Sequence, residues 1–180
     1  MKVLVPLAHG FEEIEAITVI DILRRANCEV ITASLDEGPV TASRQTRHLA
    51  DALLIEVLDE TFDAIVLPGG QPGADTLMNH LKLREKLVQH AKENRWLGAI
   101  CAAPKVLEAA GLLQGKQFTC HPSAKSFITS GKFLDQRVVV DGKLITSQAA
   151  GSALPFALRL VGEFKNADEV KKVNEGVLFF

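Results

Sequence analysis

The chain has 180 residues, 47% hydrophobic and 23% charged, with a formal net charge of -2. This is the make-up of one soluble globular domain, long enough to bury a core of its own. The near-neutral charge gives nucleic acid and acidic membrane surfaces no electrostatic hold, and no apolar stretch approaches the length of a membrane-spanning helix.

Along the chain, short apolar runs alternate with helical patterns. Residues 2–7 read as a buried strand, and 13–26 as an amphipathic helix ending in Arg24 and Arg25. Residues 28–35 read as a second strand. Residues 40–57 hold short β-prone pieces with polar breaks, as in a hairpin or an excursion at a sheet edge. Residues 62–68 form a strand pattern stopped by Gly69 and Gly70. A helix is predicted over 81–95 and a strand over 97–100. Pro104 then stands in the first turn of a helix that Gly111 stops. Residues 117–120, 137–140 and 144–147 read as later strands, and 153–164 and 167–173 as closing helices. No repeat, low-complexity segment or linker divides the chain, so residues 1–180 are read as one domain.

Strands alternating with helices imply βαβ units. The predicted fold is α/β: a flavodoxin-like, doubly wound, mostly parallel sheet with helices on both faces. Ligands in such folds sit beyond the carboxyl ends of the strands. That singles out three loops, at 8–15, 68–74 and 101–104.

The first loop reads "AHGFEEIEA". Glu12 and Glu13 suit the positive end of a starting helix. Glu15 differs, because it falls between Ile14 and Ala16 in the apolar part of the pattern. A carboxyl buried there has a raised pKa and can donate a hydrogen bond. In the second loop, "VLPGGQPGAD", the glycine pair permits positive φ and leaves backbone N–H groups free to cradle an anion or a developing oxyanion. It is neither a dinucleotide fingerprint nor a P-loop.

The third loop holds Cys101, between a strand and a helix. Unsatisfied N–H groups at a helix start favour thiolate. The small neighbours Ala99, Ala102 and Ala103 permit the strained strand-to-helix turn of a nucleophile elbow. Cys28 and Cys120 fall in apolar strand patterns and are assigned to the core. Three widely spaced cysteines without a CxxC pair outline neither a disulfide framework nor a zinc site. With no basic leader ahead of the first strand, a reducing cytoplasm is the expected compartment. His121, in "FTCHPSAK", follows another strand and is a candidate neighbour of Cys101.

Taken together, "GFEEIEA", "DILRRA", "IVLPGG" with a following "GA", "AICAAP", "HPSAK" and "LITSQ" fall in one order along nearly the whole chain. In these blocks the chain resembles the ThiJ/PfpI superfamily, on the branch holding the human parkinsonism-associated protein deglycase and bacterial ThiJ-like proteins. The resemblance implies a homodimer with Cys101 as nucleophile and Glu15 as the protonated carboxyl on its sulfur. It also implies Gly70 and Ala102 as backbone oxyanion donors, with Gly69 shaping the turn and His121 close to the cysteine. Arg44, in "TASRQT", matches an arginine of the pocket, and Arg25, in "LRRA", one reaching in from the second subunit.

The implied activity is glutathione-independent glyoxalase or deglycase chemistry, with no metal or organic cofactor. Its substrate is a small carbonyl compound such as methylglyoxal, or a glycated protein. A redox-sensing chaperone whose Cys101 is oxidised to sulfinate is the alternative, and a peptidase or amidotransferase relative the weaker one. The peptidase branch carries histidine directly after the nucleophile, and this chain has Ala102. Close relatives also carry glycine and proline after "TSQ", where this chain has Ala149 and Ala150.

Overall fold

Why the apolar runs become buried strands is plain from β1 (Lys2–Leu7), whose Val3, Leu4, Val5 and Leu7 are all 2% exposed or less. Alternate side chains of a strand point to opposite faces. Val3, Val5 and Leu7 enter one hydrophobic cluster, while Leu4 enters another. A sheet covered on both faces needs such a continuous apolar run.

A computed structural model describes residues 1–179. β1 leads into α1 (Glu13–Arg25) and β2 (Glu29–Ser34). β3 (Val40–Thr41) and β4 (Arg47–His48) pair as a separate antiparallel hairpin. β5 (Ala52–Leu53) and the one-turn α2 (Leu54–Val57) follow, then β6 (Ala64–Leu67), α3 (Gly73–Asn79), α4 (Leu81–Lys92), β7 (Trp96–Ile100) and α5 (Pro104–Ala109). β8 (Gln117–Phe118) and β9 (Lys132–Phe133) form a second small sheet, with α6 (Pro122–Lys125) between them. β10 (Val138–Asp141), β11 (Leu144–Ser147), α7 (Ala153–Phe164) and α8 (Ala167–Val177) close the fold.

The main sheet runs in the order β10-β11-β7-β6-β1-β2-β5. All its pairs are parallel except β10 with β11. α1 and α7 cover one face, with Phe156, Ala157 and Leu160 against Val3, Val5 and Val66. α3, α4 and α5 cover the other, where Leu77, Leu83, Leu87, Val106 and Leu107 meet Leu4, Ile65 and Leu67. The fold is therefore the flavodoxin-like one. Strand order reverses between β1 and β6, which opens a crevice at their carboxyl ends.

Two local expectations change. Residues 54–57, read as β-prone, form α2, because the Glu56 side chain accepts from Leu53 N–H (3.1 Å) and caps a helical turn. Residues 73–79, whose first two positions fall in the loop expected at 68–74 and whose remainder carries no assignment, form α3. Gly73 is there for space rather than for a break, since a Cβ would lie 2.6 Å from Phe11 N. No helix among the described residues is long and apolar enough to cross a membrane.

Candidate active site

Cys101 follows the last residue of β7 with a φ of 62°. That is the left-handed region, which a non-glycine residue occupies only under constraint. The constraint is visible on both sides. Cys101 N–H donates to Ser147 O of β11 (2.9 Å), and Cys101 O accepts from His121 N–H (2.9 Å). The turn tightens at once, with Ala103 N–H donating to Ile100 O (3.0 Å). The side chain is thus lifted off the strand and held half-buried above the crevice.

Glu15, in the first turn of α1, is completely buried. Its Oε2 accepts from Gly69 N–H (2.9 Å), whereas Oε1 is buried without a hydrogen-bond partner. Gly69 must be glycine here, since a Cβ would stand 2.5 Å from Glu15 Oε2 and 2.7 Å from Cys101 Cβ. Gly70 has a φ of 92° and lies against the backbone of residues 10–12. The loops after β1 and β6 therefore meet backbone to backbone, directly beside the cysteine.

Burial pushes the Glu15 carboxyl up to about 7. The Glu12 charge adds to the rise, while the Cys101 thiol and the Gly69 N–H oppose it. Burial, then the Glu15 charge and hydrogen bond, push Cys101 up to about 12 against the N–H groups of Gly70 and Ala102. The thiolate expected from a helix start is therefore not available to Cys101 alone. α5 has only six residues, and burial and the carboxylate outweigh its terminal N–H groups. When Glu15 holds the proton, its repulsion vanishes and its acidic O–H can face the sulfur. The two residues behave as one site that releases its first proton near pH 7 and its second only near pH 12.

His121 is joined to the elbow through its backbone. Its Nδ1 accepts from Ser123 N–H (3.2 Å) and contacts Ser123 Oγ (2.7 Å), which caps α6. In the neutral ring this leaves the proton on Nε2, a donor rather than a base. Arg44 sits exposed on the loop between β3 and β4. Glu13 pins that loop by accepting from Arg44 N–H (2.7 Å), Ser43 Oγ (3.0 Å) and Thr46 Oγ1 (3.1 Å). Burial acts to raise the Glu13 pKa, but these hydrogen bonds and one from its own backbone hold it below the usual carboxylate range. Glu13 is therefore a clamp, not only a helix-start charge. Glu12 is the N-cap of α1, accepting from Glu15 N–H (2.8 Å).

Arg25 is not brought to Cys101 within one chain. It lies ten positions beyond Glu15 on α1, about 15 Å along the axis, and pairs with Asp21 at 2.8 Å. Cys28 and Cys120 are buried, in keeping with their strand patterns. Ala149 and Ala150 follow β11, which lies beside β7, where Ser152 Oγ accepts from Ala149 N–H (3.1 Å) and starts a short 3-10 turn. The sequence reading passed over Gly10, whose φ of 84° and closeness to Pro72 (2.3 Å from a Cβ) make the crossing of the two loops possible. Its position just ahead of "FEEIE" is the signal that pointed to it.

The comparisons agree with this architecture. The chain is 41% identical over 179 residues to protein DJ-1 homolog B of Arabidopsis thaliana, covering 98% of this chain and 41% of that one. It thus spans under half the length of that plant relative. It is 36% identical over 164 residues to glutathione-independent glyoxalase DJR-1.2 of Caenorhabditis elegans, covering 90% of this chain and 87% of the other. The crystal structure of Drosophila melanogaster DJ-1beta superposes with a TM-score of 0.96 at 37% identity, covering 99% and 98% of the two chains. The family pattern itself matches over residues 1–163, and the chain belongs to the DJ-1/PfpI family.

Proposed function

We propose that the protein is a cysteine-dependent, glutathione-independent glyoxalase acting on methylglyoxal-type α-oxoaldehydes, with early glycated amines as related substrates. The observation that carries this reading is the Glu15–Cys101 pair: a strained cysteine whose sulfur meets the Gly70 and Ala102 N–H groups, beside a buried carboxyl that titrates near pH 7. A relative named as a glutathione-independent glyoxalase supports it. The Cys101 sulfur adds to the aldehyde carbon, and its proton passes to the aldehyde oxygen, giving a hemithioacetal. The two N–H groups hold that oxygen as charge develops on it. Glu15 as carboxylate takes the C1 proton, and the enediol regains a proton at C2 to give a thioester. Water then releases a 2-hydroxy acid, lactate from methylglyoxal, and restores the thiol. His121, donating from Nε2, suits a substrate oxygen better than proton removal. Ala102 stands where a peptidase would need its histidine, so hydrolysis of peptides is not proposed.

Lactate formation from methylglyoxal, measured without glutathione, tests the assignment. Cys101→Ser should lose at least a hundredfold in turnover while keeping the fold. Wild-type protein that forms no lactate overturns it.

The working form proposed is a cytoplasmic homodimer joined along α1. Free Cys28, Cys101 and Cys120 suit a reducing compartment. Val19, Ile20, Ile22 and Leu23 are buried within the chain, so the apolar breadth of α1 is largely absorbed by its own core. What remains outside is Ile14, 57% exposed, and Ile17, 38% exposed, one turn apart on the side of α1 that carries Asp21. A second copy on this face would also carry its Arg25 toward this crevice. Light scattering at micromolar concentration should report twice the chain mass, and a monomer overturns this part.

A further inference from the structure

A lysine stands where local rules argue against one. Lys105 is the second residue of α5, three positions after Ala102, and only 9% exposed. A cation in the first turn faces the N–H end of a helix, and burying an ammonium group is costly unless it is paired. Sequences break such rules mainly where function requires it. The Lys105 Nζ lies 2.5 Å from Asp75 Oδ1, on α3. It also lies 2.7 Å from the Gln71 amide oxygen when that amide is oriented to place its nitrogen 2.6 Å from Asp75 Oδ2. The three side chains then close a ring, each bonded to the other two, with the Phe127 ring 5.7 Å from the ammonium group.

Gln71 directly follows Gly70. The loop carrying Gly70 is held toward the start of α1 by Glu12 N–H, which donates to Gly69 O (3.0 Å), and into α3 by Ala74 N–H, which donates to Gly70 O (3.0 Å). Toward α5, the side-chain ring adds a polar tie to the apolar packing of α3 on α5. α5 begins just beyond Ala102, which provides the other N–H at the sulfur. The ring thus links the two elements whose N–H groups must converge on one point.

We propose that Lys105, Asp75 and Gln71 form a latch that keeps the Gly70 N–H aimed at the Cys101 sulfur and at the oxyanion formed there. Lys105 is a positioning residue in this scheme and touches no reacting atom. The scheme rests on Cys101 being the nucleophile, and its test separates the two ideas.

Alkylation of Cys101 by iodoacetamide is followed against pH, with no substrate present, alongside kcat and KM for methylglyoxal. In Lys105→Met the loosened Gly70 N–H stabilises thiolate less, and the alkylation midpoint rises by roughly half a pH unit. kcat falls by about tenfold with KM changed less than twofold, because the lost interaction matters most in the transition state. Lys105→Arg, which keeps the charge and two donors, restores most of both. Gln71→Ala, at an exposed position that leaves the ion pair in place, moves both readouts in the same direction. The double variant adds little to Lys105→Met. If Lys105→Met does not fold, Gln71→Ala alone decides. A variant that only melts earlier, with midpoint and kcat as in wild type, makes this a structural ion pair and overturns the proposal. So does a Gln71→Ala protein that behaves as wild type. If wild type forms no lactate while the midpoints shift as stated, the latch stands and the glyoxalase reading falls.

Discussion

At the carboxyl end of the sheet, burial raises Glu15 to about 7; at the amino end, burial lowers His90 to about 4. His90, on α4, is 2% exposed and makes one hydrogen bond through Nε2 to Trp96 O, at the start of β7. The neutral ring donates there, and the nearby Arg95 and Lys86 further disfavour its charged form. Glu15 is as deeply buried but has one oxygen without a partner and a strained cysteine beside it. A displaced pKa is therefore common to both ends and marks neither as a site. What separates them is the remainder: Glu15 Oε1 is buried without a partner beside Cys101, leaving a proton position for a reacting group, and no atom of His90 is left buried and unpartnered in that way.

The sharpest break of this comparison is Glu15→Gln. The amide keeps the shape and a donor but cannot accept the C1 proton, so turnover of methylglyoxal should fall by about 10² to 10³-fold. His90→Leu, at the other end, should stay within about twofold of wild type once folded. Initial rates at saturating substrate check both. Comparable losses in the two variants would mean that the ends are not functionally distinct.

The next effect is on stability, and the two ends carry opposite signs. Glu15 binds its proton more tightly folded than unfolded. Its contribution is present below about pH 4.5 and lost as pH rises through about 7. His90 binds its proton less tightly folded, so its contribution is present above about pH 6.5 and lost as pH falls toward about 4. Each is worth about 3 kcal/mol over its window, so wild type should change little between pH 4.5 and 6.5 from these two groups. In Glu15→Gln, stability should rise with pH across that range, and in His90→Leu it should fall. Urea midpoints from pH 4 to 8 give the slopes. Parallel slopes in the three proteins would contradict the opposed assignments.

Particular residues show how far the sequence could be read. The strand pattern exposed β1, β6 and β7 because their apolar runs are uninterrupted, and with them the loops where the site lies. Glu15 stood out as a carboxylate between Ile14 and Ala16, and Cys101 as a thiol among alanines. His90 escaped notice between Gln89 and Ala91, although Leu83, Leu87 and His90 recur at helical spacing on one buried face. α3 was hidden because Gly73 looks like a breaker, and its need for space against Phe11 exists only in three dimensions. Lys105 had no legible partner, since Asp75 and Gln71 lie on other elements. The resting state of Cys101 was misjudged for the same reason. A helix start is local, but the carboxyl that opposes the thiolate arrives from α1.

The smallest effect concerns which thiol oxidises first, and at what pH. Burial raises Cys28, half-buried Cys101 and Cys120 alike, with Cys120 at about 11. Thiolate is the form that peroxide attacks, so a buried thiol without a proton acceptor beside it should react slowly until strongly alkaline pH. Cys101 has such an acceptor. Once the Glu15–Cys101 pair has released its first proton, near pH 7, a fixed fraction of molecules carries the remaining proton on Glu15 and thiolate on sulfur. Its oxidation rate should rise to a plateau just above pH 7 and hold it until the second proton leaves near pH 12. Cys28 and Cys120 should show no such plateau. At pH 8 the preference for Cys101 should be about tenfold, helped by its greater access and by N–H donors that stabilise a sulfinate in place. Glu15→Gln should remove the plateau without removing the access, leaving a weaker preference that climbs steadily with pH. Peptide mass mapping after graded peroxide, repeated across pH, reads all three cysteines at once. A rate for Cys101 that climbs through pH 8 to 10 in wild type would show that the carboxyl does not take its proton, and the paired site would reduce to two independent groups.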